Sequence, residues 1–249
     1  MFEVPSNSPL RGDYSGMRPD YTVDQDWSAY TAEEHEIWRL LYRRQSAMLS
    51  RYACREVIEA VRLMDVADAI PDLAAVNRKL AAATGWQLVA VPGLIPNDVF
   101  FDHLAHRRFP VTIWIRTREE LDYIVEPDVF HDFFGHVPLL SNKVFADYMQ
   151  RYGQRAMEAG AHIDLLARLY WYTVEFGLIR TPAGLKIYGA GILSSAREVR
   201  HAIEGDVEHL PFDAAKVMRR PYVIDKLQSS YFVLDDFRQL FEAADTRVA

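Results

Sequence analysis

The segment EPDVFHDFFGHVP, residues 126–138, places two histidines and three carboxylates among apolar residues. Its histidines, His131 and His136, are five residues apart. On a regular helix, five steps of about 100° turn two side chains about 140° away from each other. If both histidines bind one metal ion, the helix must therefore end or distort between them. Gly135 and Pro138 favour such a change, because glycine relaxes the backbone and proline disfavours helix at the preceding residue.

This spacing excludes the zinc protease motif HExxH, in which two histidines four residues apart share one helix face. Two buried histidines bound only to backbone carbonyls are the simplest alternative for such a pair. A third candidate ligand weakens that alternative, because Glu175 lies inside the apolar stretch 163–179. A buried carboxylate is costly unless an arginine, a proton or a metal ion compensates its charge. The candidate arginines are Arg168 and Arg180, but Arg168 would be about 10 Å away along the same helix.

Two histidines and one carboxylate can form a facial triad, which leaves the opposite coordination positions of the metal open. Non-haem iron(II) oxygenases use this arrangement because oxygen and a reductant must both approach the metal. Zinc also accepts a His-His-Glu set, so the spacing alone leaves both metals open.

Composition indicates a globular protein of a reducing compartment. The chain has 249 residues, 50% hydrophobic and 25% charged, and its single cysteine, Cys54, cannot form an internal disulfide. The formal net charge of -7 argues against a nucleic-acid or anionic-membrane surface. The first residues lack the basic and apolar parts of a signal peptide, and no apolar run reaches the roughly 18 residues of a membrane span. We therefore expect a cytoplasmic protein with no nucleic-acid or membrane partner.

The hydrophobic pattern predicts a mainly α fold with a few short strands (α+β). It places one domain at residues 27–249, after an N-terminal arm at residues 1–26. Two Thr-x-x-Glu capping boxes, at Thr31 and Thr117, predict the starts of two helices. Further helices are predicted at residues 52–68, 72–84, 128–136, 142–159, 162–179, 195–204, 213–219 and 234–245, strands at 86–91 and 110–116, and a hairpin with glycine turns at 181–193.

Three segments resemble the pterin-dependent aromatic amino acid hydroxylases, closest to their bacterial phenylalanine-hydroxylating members. They are EPDVFHDFFGHVPLL (126–140), LYWYTVEFGLI (169–179) and YGAGILSS (188–195). With a strand ending at Arg116, they occur in consistent order over roughly residues 30–235. The resemblance implies the catalytic domain of this family.

The resemblance also implies an activity. His131, His136 and Glu175 would hold one iron(II) and carry the catalysis. A reduced pterin such as tetrahydrobiopterin would donate two electrons, and O2 would be the co-substrate. L-Phenylalanine, a small-molecule partner, would become L-tyrosine.

Further positions correspond to the substrate pocket of the family. Arg116 would bind the substrate carboxylate, for which its planar guanidinium is suited. Asp128 would steady this arginine. The remaining substrate-pocket positions that the resemblance implies are Trp171, Phe176, Gly191, Ser194 and Ser195.

The resemblance implies a pterin site as well. Phe100 would stack on the pterin ring, and Gly93, Leu94 and Asn97 would surround its other edge. Asp132 stands where animal members usually have glutamate, and its shorter side chain would reach the pterin through water.

Several alternatives stay open from the sequence. Ile124 and Val125 replace a Thr-Pro pair of animal members, so another aromatic amino acid such as tryptophan remains a candidate substrate. A zinc hydrolase could use the same triad with Asp132 as its general base. A helical binding module with structural histidines is a third possibility. A 2-oxoglutarate oxygenase is disfavoured, because it would be a β-rich jelly roll with a His-x-Asp motif.

Within this family, 249 residues correspond to the catalytic core with a short arm. We therefore expect neither a regulatory domain before the core nor a coiled-coil tail after it. The expectation that follows is a monomer without allosteric activation by phenylalanine.

Overall fold

Helices make up most of the fold, which confirms the mainly α prediction. The structure is a computed structural model that describes residues 11–223 and 226–245. Parts of the predicted arm (1–10) and of the predicted domain (224–225 and 246–249) lie outside the described residues. The described α-helices are α1 (Ala32–Tyr52), α2 (Arg55–Met64), α3 (Leu73–Thr84), α4 (Asn97–Ala105), α5 (Lys143–Ala159), α6 (Ile163–Tyr170), α7 (Ala190–Leu193), α8 (Ala196–Glu204), α9 (Ala214–Arg219) and α10 (Arg238–Asp245).

Six short strands form two small sheets among the described residues. In the first sheet, two strands pair in parallel, and in the second, four strands follow the order β4-β3-β6-β5. Only the β3–β4 pair is antiparallel. The strands are β1 (Gln87–Val91), β2 (Arg108–Thr112), β3 (Leu178–Thr181), β4 (Gly184–Ile187), β5 (Glu208–Pro211) and β6 (Ser230–Leu234).

Both predicted capping boxes form, but only one begins a long helix. At the start of α1, Thr31 Oγ1 accepts from the Glu34 backbone N–H, and the Glu34 carboxylate accepts from the Thr31 N–H. Thr117 makes the same reciprocal contacts with Glu120, yet only the 3-10 turn Arg118–Glu120 follows. The second capping box therefore marks a turn rather than the predicted helix.

The helices that carry the candidate metal ligands are distorted. His131–His136 forms a first π-helix, and Trp171–Glu175 forms a second one directly after α6. Hydrogen bonds in a π-helix join residues five apart, as from Phe176 N to Trp171 O at 2.9 Å. Residues five apart therefore share a face, and the predicted distortion between the two histidines is confirmed.

The predicted helix over 162–179 extends too far, because the chain enters β3 at Leu178. The predicted hairpin at 181–193 is present as β3 and β4. Its second half is wrong, since residues 190–193 form α7. Gly184, with φ of 98°, provides the left-handed residue of the turn.

The strand predicted at 110–116 lies earlier in the chain, as β2. Its ladder with β1 ends at the pair Val91–Thr112, and the Ile113 carbonyl beyond this pair accepts from the Tyr30 hydroxyl instead. The alternation of Val111, Ile113 and Ile115 thus continues beyond the paired residues. Arg116 lies after the strand rather than at its end.

Three of these helices and strands lie in segments for which no element was predicted: α4, β5 and β6. All five residues of β6 are buried, so the strand lacks the alternation of a half-exposed strand. The helix predicted from residue 234 begins only at Arg238. The predicted helix over 52–68 is shortened at both ends, since Ala53 bridges to Ile187 and Asp65 ends α2 in a left-handed conformation.

One apolar core connects these helices with both sheets. It is rich in fully buried aromatic rings, which supply large apolar areas. No helix in the described part of the chain is long and apolar enough to cross a bilayer.

Candidate metal centre

His131, His136 and Glu175 converge from the two π-helices. One ligand atom of each side chain lies within 4.8 Å of those of the other two. Glu175 Oε1 is 3.0 Å from His136 Nε2, and Glu175 Oε2 is 3.6 Å from His131 Nε2. Within residues 11–223 and 226–245, no other group of three such side chains is brought together in this way.

Gly135 has a different role from the one predicted. It is absent from the residues with positive φ, so its backbone needs no special freedom. A Cβ atom at position 135 would instead lie 2.8 Å from Ala190 O and 2.9 Å from Ala190 Cβ. The glycine is therefore required because the first π-helix packs directly against α7.

Each histidine ring has a partner on its far side. His131 Nδ1 is 2.9 Å from Ser194 Oγ, and His136 Nδ1 is 3.4 Å from Tyr170 Oη. If each Nδ1 donates its proton to the hydroxyl oxygen, both Nε2 atoms remain unprotonated for a metal. Such outer contacts commonly fix the ring orientation of metal-binding histidines.

The ionisation of the site suits a cation. Burial lowers the pKa of His131 to about 4, which keeps its imidazole neutral. Burial alone would raise the pKa of Glu175, but its contact with His136 outweighs the burial and holds this pKa below its usual value. A neutral imidazole and a carboxylate are the forms that ligate metals.

The structure also tests whether Glu175 has an arginine partner. Glu175 is 1% exposed, and its Oε2 accepts no hydrogen bond. Arg168 donates instead to Met218 O, and Arg180 donates to Asp235. Neither arginine compensates the buried carboxylate, so a metal ion fits this donor set.

A cavity of about 540 Å³, here called the first cavity, opens on one side of the triad. Its lining includes most of the predicted substrate residues, together with Ile124 and Val125. The predicted residues among its lining are Arg116, Trp171, Phe176, Gly191, Ser194 and Ser195.

Asp128, the remaining predicted substrate residue, lies behind Arg116 rather than in the cavity wall. Burial opposes the ionisation of Asp128, but the charge and hydrogen bonds of Arg116 hold its pKa below the usual value. The arrangement thus presents a charged, oriented guanidinium to the first cavity.

A second, smaller cavity, of about 40 Å³, also reaches the triad. Of the predicted pterin residues, it is lined by Gly93, Leu94, Phe100 and Asp132. Asn97 does not line it; Asn97 begins α4, and its Oδ1 is buried without a hydrogen bond.

Asp132 is fixed in the second cavity by the backbone of β2. Its Oδ2 accepts from the Thr112 N–H at 2.8 Å. Burial raises the pKa of Asp132 to about 7. A carboxyl group therefore faces this cavity from the residue next to a metal ligand.

The two cavities meet at the metal centre. Pro127, His131 and Glu175 line both of them. A metal ion held by the triad would therefore be accessible from two sides. Two different small molecules could approach it at once.

Sequence reasoning missed several residues around the site. Tyr170 contacts His136 and lines the second cavity, and its position five residues before Glu175 could have revealed it once a π-helix was considered. Residues of the first cavity that had no sequence signal are Asp122, Tyr123, Pro127, Arg197, Glu198, Lys226 and Leu227.

Comparisons with known proteins bear on this arrangement. A family model described as biopterin-dependent aromatic amino acid hydroxylase matches residues 20–246. The chain is 53% identical over 231 residues to the phenylalanine-4-hydroxylase of Ralstonia nicotianae, covering 91% of this chain and 74% of that protein.

Solved structures of the Chromobacterium violaceum phenylalanine hydroxylase are also similar. One, with bound iron(III) and oxidised 7,8-dihydrobiopterin, is 54% identical, with a TM-score of 0.87 and coverage of 90% of this chain and 84% of that chain. Another, with iron and phenylalanine bound, is 52% identical, with a TM-score of 0.87 and coverage of 92% and 85%.

Proposed function

This chain belongs to the biopterin-dependent aromatic amino acid hydroxylases, and we propose that it hydroxylates L-phenylalanine to L-tyrosine with O2, iron(II) and a tetrahydropterin. One observation carries the proposal: the two cavities meet at the His131, His136 and Glu175 triad. An amino acid and a pterin can therefore approach one metal ion from different cavities.

The triad supplies two neutral nitrogens and one carboxylate, which suits iron(II) with open coordination positions. When bound, the iron and the reduced pterin activate O2 and supply two electrons. Ser194 and Tyr170 orient the two histidine rings from behind. The fold also disfavours the 2-oxoglutarate oxygenase alternative, because it is mainly helical rather than a β-rich jelly roll.

In the first cavity, Arg116 binds the substrate carboxylate. Asp128 accepts hydrogen bonds from Nε and Nη2 of Arg116, which leaves Nη1 of Arg116 for the substrate. Trp171 and Phe176, with ring centroids 4.6 Å apart, form an aromatic wall for the phenyl ring. Gly191 leaves room beside them, since a Cβ there would lie 3.0 Å from the Phe176 ring.

In the second cavity, Phe100 and the backbone of Gly93 and Leu94 bound the pterin ring. The Asp132 carboxyl offers a hydrogen-bonding group to its polar edge. The Phe100 ring is held by an edge contact with Tyr170 at 5.5 Å between centroids. We assign no pterin contact to Asn97, which does not line the cavity.

We also propose a cytoplasmic monomer with an N-terminal arm at residues 1–26 and a catalytic domain at residues 27–249. The single cysteine, Cys54, is buried and unpaired, as expected in a reducing compartment. A net charge of -7 favours dispersed molecules over association. Light scattering of the purified protein tests the monomer, and a tetramer would contradict it.

A product assay tests the activity. Purified protein with iron(II), tetrahydrobiopterin, O2 and L-phenylalanine should form L-tyrosine, and omission of any component should stop it. A parallel reaction with L-tryptophan measures the substrate preference. Faster hydroxylation of tryptophan than of phenylalanine would contradict the assigned substrate.

A further inference from the structure

The buried side chain of Gln228 uses its whole amide group. Its Oε1 accepts from the indole N–H of Trp171 at 3.2 Å. Its Nε2 donates to Val223 O at 3.0 Å and to Lys226 O at 3.1 Å. Gln228 itself does not line the first cavity, but Trp171 and Lys226 do. One amide thus connects two parts of the cavity wall from behind.

The backbone of Gln228 is fixed to α8. Its N–H donates to Glu198 Oε1 at 3.4 Å, and its carbonyl oxygen lies 2.9 Å from His201 Nε2. Glu198 Oε1 also accepts from the Tyr231 hydroxyl at 2.5 Å, so this carboxylate is itself held in place. The amide of Gln228 therefore projects from a backbone position with little freedom to move.

Trp171 is the residue of the first cavity that donates to this amide. Its ring packs against Phe176, with ring centroids 4.6 Å apart, and against Tyr222, 4.4 Å away and nearly parallel. Trp171 also begins the second π-helix, which ends at the metal ligand Glu175. Stacking permits a ring to slide in its plane, whereas a hydrogen bond to the indole nitrogen fixes its rotation.

We propose that Gln228 is a positioning residue, which sets the angle of Trp171 and thereby the place of the substrate ring in front of the metal centre. This inference rests on the proposed function, because it assigns the first cavity to an aromatic amino acid. Gln228 touches neither metal nor substrate. Its effect should therefore appear in substrate binding and in the yield of tyrosine per pterin oxidised.

The first experiment replaces the amide by an apolar chain of similar length, Gln228→Met. The variant loses all three hydrogen bonds of the amide, and loss of the one to the Trp171 indole should raise the KM for L-phenylalanine about fivefold. Tyrosine formed per tetrahydropterin oxidised should fall, and iron affinity should stay unchanged. Gln150→Met is the matched control, since Gln150 binds Arg107 and Ala105 outside both cavities. It should leave the KM unchanged.

A double-mutant cycle with Trp171→Phe separates positioning from a general structural effect. If Gln228 acts through the indole, Gln228→Met should raise the KM far less when Trp171→Phe is already present. Equal factors in both backgrounds would overturn the inference. Wild-type protein that forms no tyrosine would instead contradict the proposed function, so the two failures are distinguishable.

A second measurement does not depend on the folding of a Gln228 variant. Wild-type protein is labelled with 15N-tryptophan. The indole resonance that is missing from the spectrum of the Trp171→Phe variant is that of Trp171. Slow hydrogen exchange of this resonance, with a shift on addition of L-phenylalanine, is the expected result. Exchange as fast as that of an exposed indole would contradict the hydrogen bond on which the inference rests.

Discussion

Asp128 binds Arg116 through both carboxylate oxygens, with Oδ2 2.8 Å from Nε and Oδ1 2.8 Å from Nη2. Both residues are buried, at 0% and 4% exposure. The same carboxylate accepts the backbone N–H of His131 at 3.0 Å. One acidic side chain therefore fixes the guanidinium of the first cavity and the start of the first π-helix.

Asp128→Asn should weaken both folding and substrate binding. The amide keeps the shape but leaves the buried Arg116 charge uncompensated, which should lower the free energy of unfolding by about 3 kcal/mol. The KM for L-phenylalanine should rise as Arg116 loses its orientation. Thermal unfolding and steady-state kinetics measure these effects. Asp245→Asn, which removes an exposed ion pair with Arg151, should change neither. Wild-type values in Asp128→Asn would contradict this role.

Ser194→Ala should lower metal affinity without removing a ligand. The hydroxyl lies 2.9 Å from His131 Nδ1, and loss of such a contact typically costs about tenfold in affinity. Calorimetric titration of the metal-free protein with iron(II) under anaerobic conditions measures it. Ser195→Ala is the control, because Ser195 Oγ accepts from the Glu198 N–H and caps α8. If both alanine variants bind the metal equally well, Ser194 does not orient His131.

Gly135→Ala should destabilise the first π-helix. The new Cβ would lie 2.8 Å from Ala190 O, and the overpacking should cost about 2 kcal/mol of unfolding free energy. The shift should also lower the metal affinity, since Gly135 adjoins His136. Chemical denaturation and metal titration measure the two effects. Gly16→Ala, with no atom within 4 Å of the new Cβ, should behave as wild type. A fully stable Gly135→Ala protein would contradict the close packing against α7.

His103 should make stability depend on pH. Its Nε2–H donates to Asp20 O at 2.9 Å, and its buried Nδ1 has no partner. Burial lowers the pKa of His103 below its ordinary value of 6.5. The unfolded chain therefore binds a proton at higher pH than the folded chain does. The contribution to stability is complete above pH of about 6.5 and is lost as the pH falls below it.

Thermal unfolding at about pH 7.5 and pH 5.5 tests this sign. His103→Gln keeps an N–H for Asp20 but cannot titrate, so it should lose less stability on acidification than wild type. His106→Gln, which removes an exposed histidine next to α4, is the control and should follow wild type. A wild-type pH dependence in His103→Gln would show that another group is responsible.

Much of the site could be predicted because a few residue types at characteristic spacings determine its chemistry. Two histidines five residues apart cannot bind one metal ion from a regular α-helix, and the first π-helix resolves this conflict. The exact distortion could not be predicted, because it depends on the packing of Gly135 against Ala190, far along the chain. Asn97 shows the limit of residue-by-residue correspondence, since its position in α4 keeps it out of the second cavity.

Elements defined by distant partners were the least predictable. β6 is a central strand with every residue buried, and its neighbours come from β3 and β5. The end of β2 depends on where β1 ends rather than on its own alternation. By contrast, α1 and α3 depend on local caps, Thr31 and Gly85; α1 begins at the predicted cap, and α3 begins and ends close to the predicted residues.

Incorporation of labelled oxygen is the most direct test of the central claim, that the triad and its two cavities form a monooxygenase site. Wild-type protein is supplied with iron(II), tetrahydrobiopterin, L-phenylalanine and 18O2, and the tyrosine is analysed by mass spectrometry. The account predicts that the wild-type protein forms L-tyrosine carrying one 18O atom on the ring. The Glu175→Gln variant should form no L-tyrosine. Tyrosine without the label, or no hydroxylated product, would contradict it.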